Sequence, residues 1–171
     1  AQGRLTWSSD ENYQAGLTLM AAIGQGNTAV TPLQLAAYAA TLANCGQRPA
    51  LHFADRAVNA ATGETVWQYA PTFTTVSGGE GVFGPIRDGM KRMARTTRVL
   101  REGPVARAAK PGSPQLADTL PGGGHYVNSV LIGYAPADHP QIAMAVVLEY
   151  GGGGSNAAPI LRAVLDAVFG V

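Results

Sequence analysis

Residues 126–150 read YVNSVLIGYAPADHPQIAMAVVLEY. Two apolar runs flank a short connection that carries Pro136 and Pro140. The pattern predicts two strands, Tyr126 to Ala135 and Ile142 to Tyr150, joined so tightly that they must run antiparallel. In the second, Ile142 to Leu148 is apolar without alternation, which calls for cover on both faces. Downstream, Gly151 to Ser155 reads as a flexible loop. A helix from about Ala157 to Phe169 follows, with Ile160, Val164, Leu165, Val168 and Phe169 on one side. Upstream, residues 108–117 read as a short strand interrupted by Pro111 and Pro114, and Gly122-Gly123-Gly124 separates it from Tyr126. A helix starting near Val82 carries Ile86, Met90, Met93 and Thr97 at three- and four-residue spacing, a buried stripe with the arginines facing out. Gly103-Pro104 ends it.

The clearest helix start lies earlier. Thr31 suits an N-cap, Pro32 the first helical position, and Gln34 completes a capping box. Leu33, Leu35, Ala36, Tyr38, Ala39, Ala40 and Leu42 continue the helix, and Asn44 and Gly46 stop it. Residues 50–69 read as two short strands, Phe53 and Val58 in the first and Val66, Trp67 and Tyr69 in the second, turning at Ala61-Thr62-Gly63-Glu64. Residues 70–80 read as a loop. Helices alternating with closely connected strands predict an α+β fold, an antiparallel sheet with helices on its faces.

Composition narrows the function. Of 171 residues 46% are apolar and only 13% charged, about half the usual charged share. Twenty-two glycines and eleven prolines argue against a coiled coil. No run reaches the roughly 18 apolar residues of a membrane span. A net charge of +1 gives no global field for nucleic acid or an anionic surface. Residues 87–110 hold Arg87, Lys91, Arg92, Arg95, Arg98, Arg101, Arg107 and Lys110 against Asp88 and Glu102. Such runs usually form a solvated helix face. No aromatic residue lies between Phe83 and Tyr126, so nucleic-acid binding is not expected. The single cysteine, Cys45, excludes an internal disulfide and reads as a small packing residue. His52, His125 and His139 lack metal-ligand spacing, and neither metal nor organic cofactor is expected.

Several short segments are familiar in this order. Ile23-Gly24-Gln25-Gly26, Thr31-Pro32-Leu33-Gln34-Leu35-Ala36 and Ala43-Asn44-x-Gly46 resemble the I-G-Q-G, T-P-L-Q-L-A and A-N-G-G run of class B penicillin-binding proteins. Lys110-Pro111-Gly112-Ser113 stands in the place of the family's K-T-G-T. Ile132-Gly133-Tyr134-Ala135-Pro136, Ile142 to Glu149, and Ala158-Pro159-Ile160 resemble its F-I-G-Y-A-P, its I-A-V-A-V-V-x-E strand and the start of its last helix. The resemblance covers roughly residues 15–170. It implies the β-lactamase/transpeptidase-like, penicillin-recognising fold. It also implies serine acyl transfer on the D-alanyl-D-alanine end of a peptidoglycan stem peptide, with β-lactams as ligands, at the extracytoplasmic face of the cell membrane. Such sites combine S-x-x-K, S-x-N and K-T-G.

Two departures follow. Neither Lys91 nor Lys110 has a serine three residues before it, and Ser9-Asp10-Glu11-Asn12 is one residue too long for S-x-N. Residues 1–171 are therefore expected to be the C-terminal portion of a transpeptidase domain, without the nucleophile and inactive alone. The missing N-terminal part would be its first partner, and the isolated chain is expected to self-associate. The alternative is a non-catalytic structural or interaction module of the cell envelope. The third motif is also altered. The resemblance makes Lys110, Pro111, Gly112 and Ser113 the substrate-binding residues. Lys110 would meet a carboxylate, Gly112 would allow close backbone approach, and the Ser113 N–H would complete an oxyanion hole. Pro111 lacks the hydroxyl of the usual threonine. With Pro114 also lacking an N–H, at least one ladder bond should go unmade unless a bulge intervenes.

Overall fold

The computed structural model describes residues 15–26 and 28–171. Helix α1 (Ala15–Ala22) leads through a glycine turn to α2 (Pro32–Ala43). The expected capping box is present. Thr31 Oγ1 accepts from the Gln34 N–H at 3.2 Å, and the Thr31 N–H donates to Gln34 Oε1 at 2.8 Å. Three-residue strands β1 (Gln47–Pro49) and β4 (Phe73–Thr75) pair antiparallel around a hairpin of β2 (Arg56–Val58) and β3 (Thr65–Gln68). Phe53 and Tyr69 lie outside these strands, contrary to expectation, and β4 falls in the stretch read as loop. Phe53 is 96% exposed and has no strand to pack on.

Helix α3 (Gly79–Thr96) and the short α4 (Arg98–Arg101) are followed by β5 (Ala108–Gly112), β6 (Gln115–Thr119), β7 (His125–Val127), β8 (Ser129–Ala135) and β9 (Ile142–Leu148). A 3-10 turn (Gly154–Ala157) leads into α5 (Ala158–Phe169). The central sheet is antiparallel in the order β5-β8-β9. Ala108 stands opposite Tyr134 and Gly112 opposite Val130; Ser129 stands opposite Leu148 and Ala135 opposite Ile142. The strand read as continuous from Tyr126 breaks at Asn128, whose N–H turns to Pro114 O.

Side chains of β5 and β8 alternate between two cores. Ala109 and Leu131 join Ala94, Leu100, Val146, Leu161 and Leu165 on the face covered by α5. Ala108, Ile132 and Tyr134 join Ala39, Leu42, Phe83 and Met90 on the face covered by α2. Helix α3 feeds both cores and packs along β5. At Gly133 an added Cβ would meet Leu161 Cδ1 at 2.7 Å and Ala108 O at 2.9 Å, so α5 can lie this close to β8 only over a glycine.

Two sequence readings of the helices need correction. The buried side of α5 is Ala158, Leu161 and Leu165, whereas Ile160, Val164 and Val168 are exposed. In α3, Phe83, Met90 and Ala94 are buried and Ile86 is exposed. Nor do all the basic residues face out. Arg107 is buried and donates to the carbonyls of Leu100, Glu102 and Val105 and to Asp166. Asp166 also accepts from Arg162 Nε at 3.0 Å. This cluster ties the loop after α4 to α5.

Candidate active-site strand

Among the described residues strand β5 pairs only with β8, which places it at one edge of the central sheet. Its other side is thus the one place in this sheet besides the outer side of β9 where a further extended chain could align. All four sequence-predicted residues lie at its end. Lys110 is exposed, opposite Ile132, with its ammonium turned onto Pro111 O at 2.7 Å. Pro111 and Gly112 are half-buried, opposite Leu131 and Val130. Ser113 is exposed, one residue past the ladder, and its hydroxyl accepts the Gly154 N–H at 2.9 Å.

The two prolines do not distort the ladder together. Register holds through Pro111 without a shift. Pro114 falls in the break between β5 and β6, where its carbonyl accepts from Asn128. An edge strand is where a proline nitrogen is tolerated, since one side of the strand needs no donor.

The loop after β9 closes one end of the site and is more ordered than its glycines suggest. Ser129, fully buried, donates to Gly154 O at 3.0 Å and accepts from the Ala157 N–H at 3.1 Å. A Cβ on Gly154 would lie 2.4 Å from Gly112 O and 2.7 Å from Gly112 N. The backbone of Gly112 is thus approached closely by Gly154, where only glycine fits. A Cβ on Gly112 itself would meet nothing nearer than Val130 at 3.8 Å. Ser129 was not singled out from sequence; its only signal is a lone hydroxyl opening an apolar run. Beside the strand end, Tyr126 and Tyr150 pack edge to face with centroids 5.1 Å apart. The Tyr150 N–H donates to Asn128 Oδ1 at 2.9 Å.

The arrangement supplies a cation, a hydroxyl and an open strand edge, which suits a carboxylate-bearing extended ligand. Ser113 bonds backbone and Ser129 is buried. Among the described residues no three His, Cys, Asp or Glu side chains converge on a possible metal site. Likewise no helix there is long and apolar enough to cross a membrane.

Comparison with known proteins matches residues 6–166 to the penicillin binding protein transpeptidase domain. The chain belongs to the penicillin-binding protein transpeptidase family. Within it, the peptidoglycan D,D-transpeptidase MrdA of Salmonella typhimurium is 30% identical over 92% of this chain. This chain covers 27% of that relative, so it spans about a quarter of its length. Penicillin-binding protein A of M. tuberculosis, solved as its imipenem acyl-enzyme complex, superposes with a TM-score of 0.77 at 27% identity, over 88% of this chain and 33% of that one. Penicillin-binding protein 2B of Streptococcus pneumoniae gives 0.79 at 26% identity, over 98% and 28%. The fold is therefore that of the penicillin-binding transpeptidases, and the class B resemblance read from the short motifs holds along most of the chain.

Proposed function

We propose that residues 1–171 form the later portion of a peptidoglycan D,D-transpeptidase domain, and that β5 is the wall against which the acyl donor lies. One observation carries the reading: Lys110 to Ser113 stand at a strand edge that no described residue pairs with, in a chain matched to transpeptidases. In this reading Lys110 meets the carboxylate of the stem peptide or of a β-lactam, and the Ser113 N–H faces the acyl oxygen. The nucleophilic serine and its lysine come from a preceding part of the same domain. The whole works on the extracytoplasmic face of the membrane, where its substrate lies.

Pro111 weakens this wall by removing one hydroxyl from the carboxylate site. A hydrogen bond to a charged group contributes about 1.5–3 kcal/mol. In the protein carrying the whole domain, Pro111→Thr should therefore speed acylation by a fluorescent penicillin by roughly tenfold or more. An unchanged rate would show that the proline is neutral.

The surface supports a missing partner. Leu19, Met20 and Ile23 around α1, and Ile160, Val164 and Val168 on α5, are exposed, and no described residue pairs with the outer side of β9. Apolar surface of this extent favours association. The isolated chain should sediment as oligomers and bind a hydrophobic dye; a compact monomer that binds no dye would count against the partial-domain reading.

A further inference from the structure

The break between β7 and β8 fastens the loop after β9 with three consecutive residues. Val127 O accepts the Gly152 N–H at 2.9 Å, and Asn128 Oδ1 accepts the Tyr150 N–H at 2.9 Å. Ser129 uses its one hydroxyl twice, donating to Gly154 O at 3.0 Å and accepting the Ala157 N–H at 3.1 Å. A single oxygen thus closes both ends of the turn Gly154–Ala157. Gly151 to Gly154 cannot order this loop by themselves, because glycine has the widest backbone freedom. A hydroxyl in a fully buried position costs free energy unless it is hydrogen-bonded. Alanine would fill the same place in the apolar run of β8, so the serine is explained by what it holds.

What it holds is the proposed oxyanion donor. The last ladder pair is Gly112 with Val130, so Ser113 and Ser129 fall at the next position, and Gly154 bridges them. The Gly154 N–H donates to Ser113 Oγ at 2.9 Å. Gly154 also packs on the peptide unit that joins Gly112 to Ser113: an added Cβ would lie 2.4 Å from Gly112 O and 2.9 Å from Gly112 C. That peptide unit carries the Ser113 N–H. A shift of Gly154 therefore moves the donor itself, and a misplacement of about 1 Å can cost ~100-fold in rate.

We propose that Ser129 is a positioning residue for acyl transfer, acting through Gly154 on the Ser113 N–H. The inference rests on the transpeptidase reading above. Being fully buried, Ser129 touches neither the acyl donor nor the reacting serine. Its effect falls on the chemical step. The Ser113 N–H meets negative charge that develops only as the acyl carbon is attacked, so misalignment slows acylation more than it weakens the first, noncovalent binding.

The test follows acylation of the protein carrying the whole domain by a fluorescent penicillin over a range of concentrations. Ser129→Ala should lower the rate at saturating penicillin about tenfold, less than the roughly 100-fold or more lost when such a donor is removed outright. The noncovalent dissociation constant should stay within about twofold, and labelling should still run to completion. Ser129→Cys fills the same space with a weaker hydrogen-bonding group and should give a smaller loss of rate, which serves if the alanine protein does not fold. Ser113→Ala cuts the tie to Gly154, so adding Ser129→Ala to it should slow acylation by less than the two single effects multiplied. An unchanged rate in both Ser129 variants would overturn the proposal, as would effects that multiply in full. So would a lower final labelled fraction at the parent rate, which is what a merely unfolded share of the protein gives. If the parent protein forms no adduct on a preceding serine, the transpeptidase reading falls and this inference with it.

Discussion

Arg107 and Asp166 show how one buried cation organises a corner of the molecule. Arg107 satisfies three carbonyls of the loop after α4 and reaches Asp166 on α5. Hydrogen bonds from Arg162, and then the charge and bonding of Arg107, hold the Asp166 carboxyl below its ordinary range. A carboxyl lowered in the folded state stabilises the fold above its unfolded pKa of about 3.9, and that contribution is lost as pH falls through the folded value. Asp166→Asn should thus be less stable at neutral pH, because Arg107 loses its counter-charge. It should also lose less further stability on acidification below pH about 4 than the parent chain. Urea unfolding at pH 7 and near pH 3 checks both; parallel acid dependence in the two proteins would contradict the assignment. None of this was legible in the sequence, where Arg107 was one of eight basic residues in a run that reads as solvent-facing. The carbonyls that bury it are brought together only by the turn after α4. The site residues fared differently. Lys110 to Ser113 were singled out because a family pattern marks them, and they remain candidates; Gly154 and Ser129, which pack against that strand end, act across the sheet and leave no local signal.

Among the elements, α2 was the most legible, because a capping box is written within four residues. Removing it isolates its worth. Thr31→Ala should destabilise the chain by about 1 kcal/mol in urea unfolding, and no measurable loss would mean that packing alone fixes where α2 starts. Strands β8 and β9 were equally plain, since a short connection between two apolar runs dictates both pairing and direction. Strands β1 and β4 were not. Each has three residues, too few to show alternation, and they pair across the β2–β3 hairpin. Helix α5 misled for another reason. It is apolar nearly all round, so its periodicity cannot choose a face, and the larger residues draw the eye to Ile160, Val164 and Val168. The choice is made by contact: Leu161 seats over Gly133, where the backbone lets it approach.

For the whole molecule, the low charge noted in the sequence has a place in the structure. The sheet has helices on both faces, yet apolar side chains of α1 and α5 remain exposed, and no described residue pairs with either edge of the β5-β8-β9 sheet. The chain carries a transpeptidase fold and one wall of the proposed site, and it spans about a quarter of the MrdA relative. The central claim is that this wall serves a serine that lies outside it. The direct measurement is to label the protein carrying the whole domain with a fluorescent penicillin and map the acylated residue by peptide mass spectrometry. The account predicts acylation of a serine that precedes residue 1, strongly reduced by Lys110→Ala. Acylation of Ser113 or any other residue within 1–171, or labelling indifferent to Lys110, would contradict it.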